Sequence, residues 1–228
     1  MGPQVPHRMT LIHHYTAAMS ATPPPPFFSP AAERNKQPLL EALQTLLPPS
    51  GHALEIASGT GQHLEHFSAG LPGWTWQPSE FEAERLGWLR QLRQSWPAEQ
   101  QRQRVAEALA LDVSVLPWPV APESFDLVFC ANMLHVAPWV CCSGLMQGAA
   151  QALKPQGSLL TYGPYLEDDV VTAPSNLAFD AELRQRNPSW GLRRLADVQA
   201  EAARAGLQLA QRLAMPANNL LLVWRHSA

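Results

Sequence analysis

Apolar residues along this chain fall into short runs and into longer segments with helical spacing. The short runs have the length and apolar content of buried strands. Between two of them, Leu64, Phe67 and Leu71 recur at the spacing of one helix face. The predicted strands are 53–57, 74–78, 108–113, 125–131, 158–162, 207–214 and 220–225. The predicted helices between them are 62–71, 81–96, 140–153 and 195–205.

A further helix is predicted before the first strand. Ser29 is a favourable N-cap, and Pro30 suits the first helical position. The Pro-Pro-Ser-Gly segment at 48–51 ends this helix. Because Pro38 lacks a backbone N–H, we expect it to interrupt the helix, which then restarts.

Regular alternation of strands and helices predicts an α/β fold with a mainly parallel sheet that is covered on both faces. In such sheets, ligands bind at the carboxyl ends of the strands. The residues that follow each predicted strand are therefore the first candidates for a functional site.

Composition separates a proline-rich tail from a folded region. Residues 1–26 end in four consecutive prolines, and we expect them to form a disordered tail. Residues 27–228 are expected to form a single domain. A hydrophobic content of 46% against 15% charged residues fits a chain with a packed core.

Charge and cysteine content narrow the possible functions. The net charge is −3 and basic runs are absent, so a nucleic-acid partner is not expected. Three cysteines, two of them adjacent, fit a reducing cytoplasm better than a disulfide framework. No apolar run reaches about 18 residues, so a membrane span is not expected either. The sequence does not indicate an oligomeric state.

The first predicted strand is followed by a glycine turn in the sequence LEIASGTGQH, residues 54–63. Gly59 and Gly61 permit positive φ angles and a close approach of a ligand to the backbone. A dinucleotide fingerprint requires a third glycine three residues after Gly61, but Leu64 occupies that position. The turn therefore suits a nicotinamide dinucleotide poorly.

S-adenosylmethionine fits the pattern better, because acids follow three successive strands. Glu55 is placed to balance the ammonium of the cofactor, directly or through water. Glu80 is placed to accept from the ribose hydroxyls, and Asp112 from the adenine amine. Each of these acids has an alternative role as a helix cap.

At these residues the chain resembles the class I S-adenosylmethionine-dependent methyltransferases. Ala57 stands where that superfamily usually has its first glycine, and we expect the alanine to adopt ordinary turn angles. The resemblance implies that Ala57, Gly59 and Gly61 lie against the cofactor. The matching segments are 55–61, Glu80, Asp112, 125–128 and 153–157.

More narrowly, the chain is similar to the methyltransferase-like 26 family, whose bacterial branch is known as a domain of unknown function. The similarity implies a Rossmann-like, doubly wound sheet of seven strands, mostly parallel with a reversed last strand. It implies no particular methyl acceptor. The shared segments are 34–35, 57–63, 76–79, 161–165, 186–193 and 215–219.

Candidate catalytic residues follow the fourth and fifth strands. In the superfamily the edge after the fourth strand often lies beside the transferred methyl, which suggests that Asn132 contacts the cofactor. His135 is the leading candidate for a general base, and its alternative is packing against the next helix. Tyr162 and Tyr165 are candidates to line an acceptor pocket, or are core residues with polar tips.

Other polar residues have weaker assignments. His63 follows the glycine turn and is predicted to touch the carboxylate end of the cofactor, unless its role is packing. Arg34 and Asn35 are predicted to cover the cofactor from the first helix. Arg186 is a candidate to contact an acceptor carboxylate from a lid. Asn218-Asn219 has the composition of a hairpin turn.

These observations predict an enzyme that transfers a methyl group from S-adenosylmethionine to an oxygen or nitrogen atom of a small molecule. Metal is not expected, because the adjacent Cys141 and Cys142, considered with His135, lack the usual zinc spacing. A non-catalytic regulatory module that binds the same cofactor remains an alternative. An NAD-dependent oxidoreductase is a second alternative, which Leu64 disfavours.

Overall fold

The computed structural model describes residues 27–227, and a sheet of seven strands forms its centre. The strands of this sheet are β1 Gly51–Ile56, β2 Trp74–Glu80, β3 Leu109–Ala110, β4 Phe125–Ala131, β5 Leu153–Gly163, β8 Leu207–Met215 and β9 Asn219–His226. A separate short pair consists of β6 Tyr165–Leu166 and β7 Arg193–Arg194. The helices are α1 Pro30–Leu46, α2 Gln62–Gly70, α3 Ala83–Ser95, α4 Glu99–Gln103, α5 Val140–Ala152, α6 Pro174–Arg186 and α7 Leu195–Arg204.

The strand order is β3-β2-β1-β4-β5-β9-β8. The first five strands in this order pair in parallel, whereas β9 runs antiparallel to both β5 and β8. This arrangement confirms the prediction of a doubly wound, mostly parallel sheet with a reversed last strand. The predicted proline-rich tail at 1–26 lies outside the described residues.

The register of the parallel strands brings their carboxyl ends to one edge. Glu55 of β1 lies opposite Pro78 of β2 and Phe129 of β4. Glu80, at the end of β2, lies opposite Ala110 of β3. The loops that follow these four strands therefore meet above the same edge of the sheet.

Two apolar layers cover the faces of the sheet. Leu54 and Ile56 of β1 face the layer that includes α5 and α7, whereas Ala53 faces the layer that includes α1 and α2. Such alternation follows from the two-residue period of a strand. Residues 53–56 of β1 are buried on both faces, which explains why Ala53, Leu54 and Ile56 are apolar.

Helix α1 begins as predicted but is not interrupted. The Ser29 hydroxyl accepts a hydrogen bond from the Ala32 amide at 3.2 Å, as an N-cap does. The expectation that Pro38 breaks the helix is wrong, because α1 continues through it to Leu46. Leu39 and Leu43 are completely buried directly after the proline, and this packing compensates for the lost backbone hydrogen bond.

Helix α6 and the small sheet were not predicted. Only Asn176 and Leu183 are buried on α6, so its sequence carries almost no apolar periodicity. Strand β3 is shorter than expected, with two residues, and is followed by a turn that Asp112 stabilises. Among residues 27–227, no helix combines the length and apolarity that a membrane crossing requires.

Two glycines in helices provide a matched test of close packing. A β-carbon at Gly144 of α5 would lie 2.1 Å from the Val113 carbonyl oxygen, whereas one at Gly87 of α3 would meet nothing within 4 Å. The higher helix propensity of alanine should stabilise both helices equally, by about 0.5–1 kcal/mol. We expect Gly87→Ala to stabilise the protein and Gly144→Ala to destabilise it by about 1–3 kcal/mol.

Urea unfolding of the two variants beside the wild type measures this difference. Equal stability of Gly144→Ala and Gly87→Ala would contradict the close contact between α5 and the turn after β3.

Candidate functional site

A cleft of about 710 Å³ lies at the carboxyl edge of the sheet. Residues that follow β1, β2, β3 and β4 line it, together with the start of α1 and one residue of the 186–193 segment. These residues include Ser29, Ala32, Ala57, Ser58, Gly59, Thr60, His63, Glu80, Phe81, Asp112, Val113, Asn132, Met133, Cys141 and Trp190. A second depression of about 770 Å³ lies at the opposite edge, away from these loops, near Glu123 and Arg225.

The glycine turn forms the floor of this cleft with three residues in the left-handed region. The φ angles are 53° at Ala57, 55° at Gly59 and 76° at Gly61. The expectation that Ala57 adopts ordinary turn angles is therefore wrong. A left-handed alanine is unfavourable by about 1–2 kcal/mol, a cost that glycine avoids.

Gly59 and Gly61 serve different purposes. Gly59 lines the cleft, and a β-carbon there would meet no atom closer than 3.6 Å. A β-carbon at Gly61 would lie 2.4 Å from Cδ2 of Leu92, so this glycine lets α3 pack against the start of α2. The structure thus places Gly59 at the site and Gly61 beneath it.

Glu80 ties the end of β2 to the glycine turn. Its Oε2 accepts a hydrogen bond from the Gly59 amide at 2.9 Å, and its Oε1 accepts one from the Phe81 amide at 2.8 Å. The carboxylate is buried in the cleft wall, while the Phe81 ring beside it is 67% exposed. An acidic acceptor and an open aromatic face are thus adjacent.

Asp112 follows β3 and also reaches the cleft. Its Oδ1 accepts from the Ser114 amide at 2.9 Å and from the Ser114 hydroxyl at 2.7 Å. These bonds stabilise the turn after β3, where no helix begins, so the alternative role of Asp112 as a helix cap is wrong. Because Oδ1 alone makes these contacts, a role for the other oxygen towards a ligand is compatible with the turn.

Glu55 lies behind the glycine turn instead of in the cleft wall. The residue is 2% exposed, and its Oε2 has no hydrogen-bond partner within residues 27–227. Burial raises the pKa of this carboxyl to about 8, the Ser58 hydroxyl lowers it and the negative charge of Glu80 raises it further. Glu55 is consequently a largely neutral acid near pH 7 when no cation is close.

His63 belongs to a polar group that links α1, α2 and β5. Its Nε2 lies 2.6 Å from Oδ1 of Asn35, and its ring stacks on Phe67 at 5.4 Å. Burial lowers the pKa of His63 to about 4, with smaller contributions from His66 and Lys36. Burial raises the pKa of the Tyr162 phenol at the end of β5, and the side chains of Asn35 and Asn219 lower it.

Asn132 and His135 follow β4, but only Asn132 lines the cleft. Asn132 has a φ of 60°, and its amide donates to the Tyr162 carbonyl at 2.8 Å. His135 is buried, and its ring meets Phe179 edge-on with centroids 5.5 Å apart. Burial lowers the pKa of His135 to about 4, and the charge of Arg193 lowers it further.

Arg193 organises the cleft wall that sequence reasoning did not assign. It donates to the carbonyls of Leu134 at 2.9 Å, Ala137 at 2.5 Å and Ser189 at 2.9 Å. Its guanidinium also lies 5.7 Å from the centre of the Trp139 ring. Arg193 belongs to the 186–193 segment that the resemblance singled out. However, an arginine that binds backbone carbonyls depends on no particular partner side chain, so the sequence gives no signal for this role.

Several predicted site residues are not brought to the cleft. Tyr165 is buried, and its phenol donates to Oγ1 of Thr161 at 2.9 Å inside the core. Arg34 is exposed on α1 and does not line the cleft. Arg186 pairs with Glu182 on the surface of α6 instead of forming a lid. In residues 27–227, His, Cys, Asp and Glu form no group of three suited to a metal ion.

The sheet order with its reversed strand, and the glycine turn at the end of β1, define the class I methyltransferase fold. The chain belongs to the family described as "Protein of unknown function (DUF938)", whose model matches residues 27–226.

Solved structures with the same fold include mitomycin 7-O-methyltransferase MmcR, with a TM-score of 0.71 and 18% identity. That match covers 86% of this chain and 55% of MmcR. Human N-acetylserotonin methyltransferase, in complex with SAM, has a TM-score of 0.68 and 18% identity over 87% of this chain and 53% of its own. This chain thus spans a little over half of each of these proteins.

A sequence relative is highly reducing polyketide synthase 2 of Gibberella zeae. The two are 26% identical over 132 residues, which represent 54% of this chain and 5% of the synthase. The similarity concerns a small part of a much longer protein.

The buried Glu55 predicts a specific dependence of stability on pH. Between pH 4.5, its ordinary value, and about 8, the unfolded chain releases this proton while the folded protein keeps it. The contribution of Glu55 to stability is therefore complete below pH 4.5 and decreases as pH rises to about 8. The decrease is at most about 1.4 kcal/mol per pH unit.

Glu55→Gln removes this titration while keeping a neutral polar side chain. We expect the stability of the variant relative to the wild type to increase steadily between pH 5 and pH 8 in urea unfolding. A difference that stays constant across this range would show that Glu55 is charged in the folded protein.

Proposed function

We propose that this protein transfers a methyl group from S-adenosylmethionine to an oxygen or nitrogen atom of a small molecule. The observation that carries the proposal is the hydrogen bond between the Gly59 amide and Glu80 at the floor of the cleft. It holds an acidic acceptor of hydrogen bonds beside a backbone turn that leaves room for a ligand. A ligand with neighbouring hydroxyls and a positive charge fits this combination.

The chemistry of the cleft also fits the cofactor. Its acidic residues are Glu80, Glu82 and Asp112, and the cation Arg85 among its lining residues is paired with Glu82 at 2.8 Å. A net acidic cleft favours a sulfonium ligand over one with a pyrophosphate. The cofactor supplies a methyl group that its sulfonium already activates.

Individual residues suit individual parts of the cofactor. Glu80 would accept from the ribose hydroxyls, and the exposed Phe81 ring would pack beside the nucleoside. Asp112 would accept from the adenine amine. Ala57 and Asn132 lie at the ends of β1 and β4, where the amino-acid part would fit.

The acid Glu55 supports the same orientation. It lies behind Ser58, which lines the cleft, and the Ser58 hydroxyl donates to the backbone carbonyl of Glu55 at 3.5 Å. The arrival of a cation in front of this turn would favour the charged form of Glu55.

The solved neighbours support the type of reaction. Two of them are methyltransferases by name, and one was solved with SAM bound. At 18% identity this likeness establishes the fold, and the activity of this chain is inferred from it together with the cleft. Kinship with the methyltransferase-like 26 family remains part of the proposal.

His135 remains the proposed base if the acceptor carries a proton. A β-carbon at Gly163 would lie 3.3 Å from its Nδ1 and 3.6 Å from Oδ1 of Asn132, so both groups lie next to this glycine. Since burial lowers the pKa of His135 to about 4, the ring is neutral at pH 7 and keeps a lone pair for a hydrogen bond, but it is a weaker base than an exposed histidine. Tyr162 would support the acceptor through its polar tip.

Calorimetric titration tests the cofactor. We expect the wild type to bind S-adenosylhomocysteine and not NAD. Loss of the Glu80 carboxylate in Glu80→Ala should weaken binding by about 1.5–3 kcal/mol, or roughly 10- to 150-fold in Kd. Glu84→Ala removes the same charge from an exposed position on α3 and serves as the control.

An unchanged Kd in Glu80→Ala would remove Glu80 from the ribose role. Binding of NAD in place of S-adenosylhomocysteine would reject the methyltransferase proposal as a whole.

A cofactor with an isotopically labelled methyl group can identify the methyl acceptor. We expect the wild type, incubated with a pool of small metabolites, to transfer the label to an oxygen or nitrogen of at least one compound. Mass spectrometry identifies the product. Tight binding of the cofactor with no labelled product in any pool would favour a regulatory module instead.

A further inference from the structure

His63 is held in one orientation by groups on both sides of its ring. Phe67 stacks on its face with an interplanar angle of 9°, and Phe129 meets it edge-on at 6.1 Å. Its Nε2 is 2.6 Å from Oδ1 of Asn35. The residue is 8% exposed and nevertheless lines the cleft, so what reaches the cleft is a small part of the ring.

The partner of Nε2 determines the tautomer. A carbonyl oxygen only accepts, so Nε2 carries the hydrogen and donates it to Asn35. The end of the Asn35 amide that faces the ring is its oxygen, Oδ1. Lys36 and His66 are the charged or titratable groups that act on the ring, and both oppose a positive charge on it.

The other ring nitrogen is therefore an acceptor. Nδ1 of a neutral imidazole with Nε2–H has a lone pair and no hydrogen. Within residues 27–227 this atom has no hydrogen-bond partner, and it is not among the fully buried polar atoms that lack one. Such an atom repels a carboxylate, so His63 does not suit the carboxylate end of the cofactor as the sequence suggested.

We propose that Nδ1 of His63 accepts a hydrogen bond from an N–H or O–H donor bound at the amino-acid end of the cleft. This inference rests on the proposed function, which supplies two such donors. One is the ammonium of the cofactor, and the other is the protonated nucleophile of the methyl acceptor. Asn35 acts as the positioning residue, because it holds the tautomer that leaves Nδ1 free.

Two substitutions separate the two nitrogens of the ring. The amide of asparagine occupies the position of Nδ1, whereas the longer glutamine reaches the position of Nε2. His63→Asn thus keeps an acceptor for the ligand and loses the contact with Asn35, whereas His63→Gln does the reverse. His66→Ala is the control, since His66 lies on the same helix but outside the cleft and contacts Gln37.

Calorimetry with two probes measures the effect on the cofactor. The probes are S-adenosylhomocysteine and 5′-methylthioadenosine, which keeps the nucleoside and lacks the amino-acid part. If the ammonium is the donor, His63→Gln weakens the binding of S-adenosylhomocysteine roughly tenfold or more. The affinity for 5′-methylthioadenosine stays unchanged. His63→Asn and His66→Ala stay close to the wild type.

Transfer of a labelled methyl group to the metabolite pool tests the other possible donor, which is the protonated nucleophile of the methyl acceptor. If the acceptor is the donor, all variants bind S-adenosylhomocysteine normally, while His63→Gln loses labelled product and His63→Asn retains it. Wild-type behaviour of His63→Gln in both assays overturns the inference. A larger loss in His63→Asn than in His63→Gln also overturns it, because the ring then acts only through Asn35.

Thermal unfolding of each variant shows whether a loss reflects misfolding. If the wild type binds no S-adenosylhomocysteine, the proposed function itself is rejected. If the wild type and His63→Gln bind it and transfer the label equally well, only the inference about His63 is rejected.

Discussion

The site depends on one hydrogen bond, from the Gly59 amide to the Glu80 carboxylate. It joins the loop after β1 to the end of β2 and so holds two strand ends in a fixed relation. The bond is charge-assisted and partly buried, which makes it stronger than an ordinary amide contact. The left-handed angles at Ala57 and Gly59 give the turn the shape that brings the amide to the carboxylate.

Three acids that look equivalent in the sequence have different surroundings in the structure. Glu80 is anchored by backbone amides, Asp112 stabilises its own turn, and Glu55 is buried with one oxygen that lacks a hydrogen-bond partner in the described part of the chain. Only the first two reach the cleft directly. Their roles therefore differ because their environments differ. Glu80 and Asp112 are hydrogen-bond acceptors at the surface of the site, whereas Glu55 is a protonated acid behind it.

The sequence predicted the sheet well because its signals are local. Apolar runs mark β1, β4 and β5, and a strand that is buried on both faces has no alternative position. Helix α6 escaped prediction because two buried residues leave no periodic pattern. The sequence also could not predict features that depend on tertiary contacts. Examples are the continuous helix through Pro38 and the burial of the Tyr165 phenol.

The clamp formed by Arg193 has a consequence for the order in which the cleft is completed. Arg193 holds the carbonyls of Leu134 and Ala137, which precede it by 59 and 56 residues. During synthesis, the glycine turn and its acids therefore emerge from the ribosome long before the residue that secures the neighbouring wall. A nascent chain that ends short of Arg193 has every acid of the site, but its wall after β4 lacks the cation that bridges these carbonyl groups.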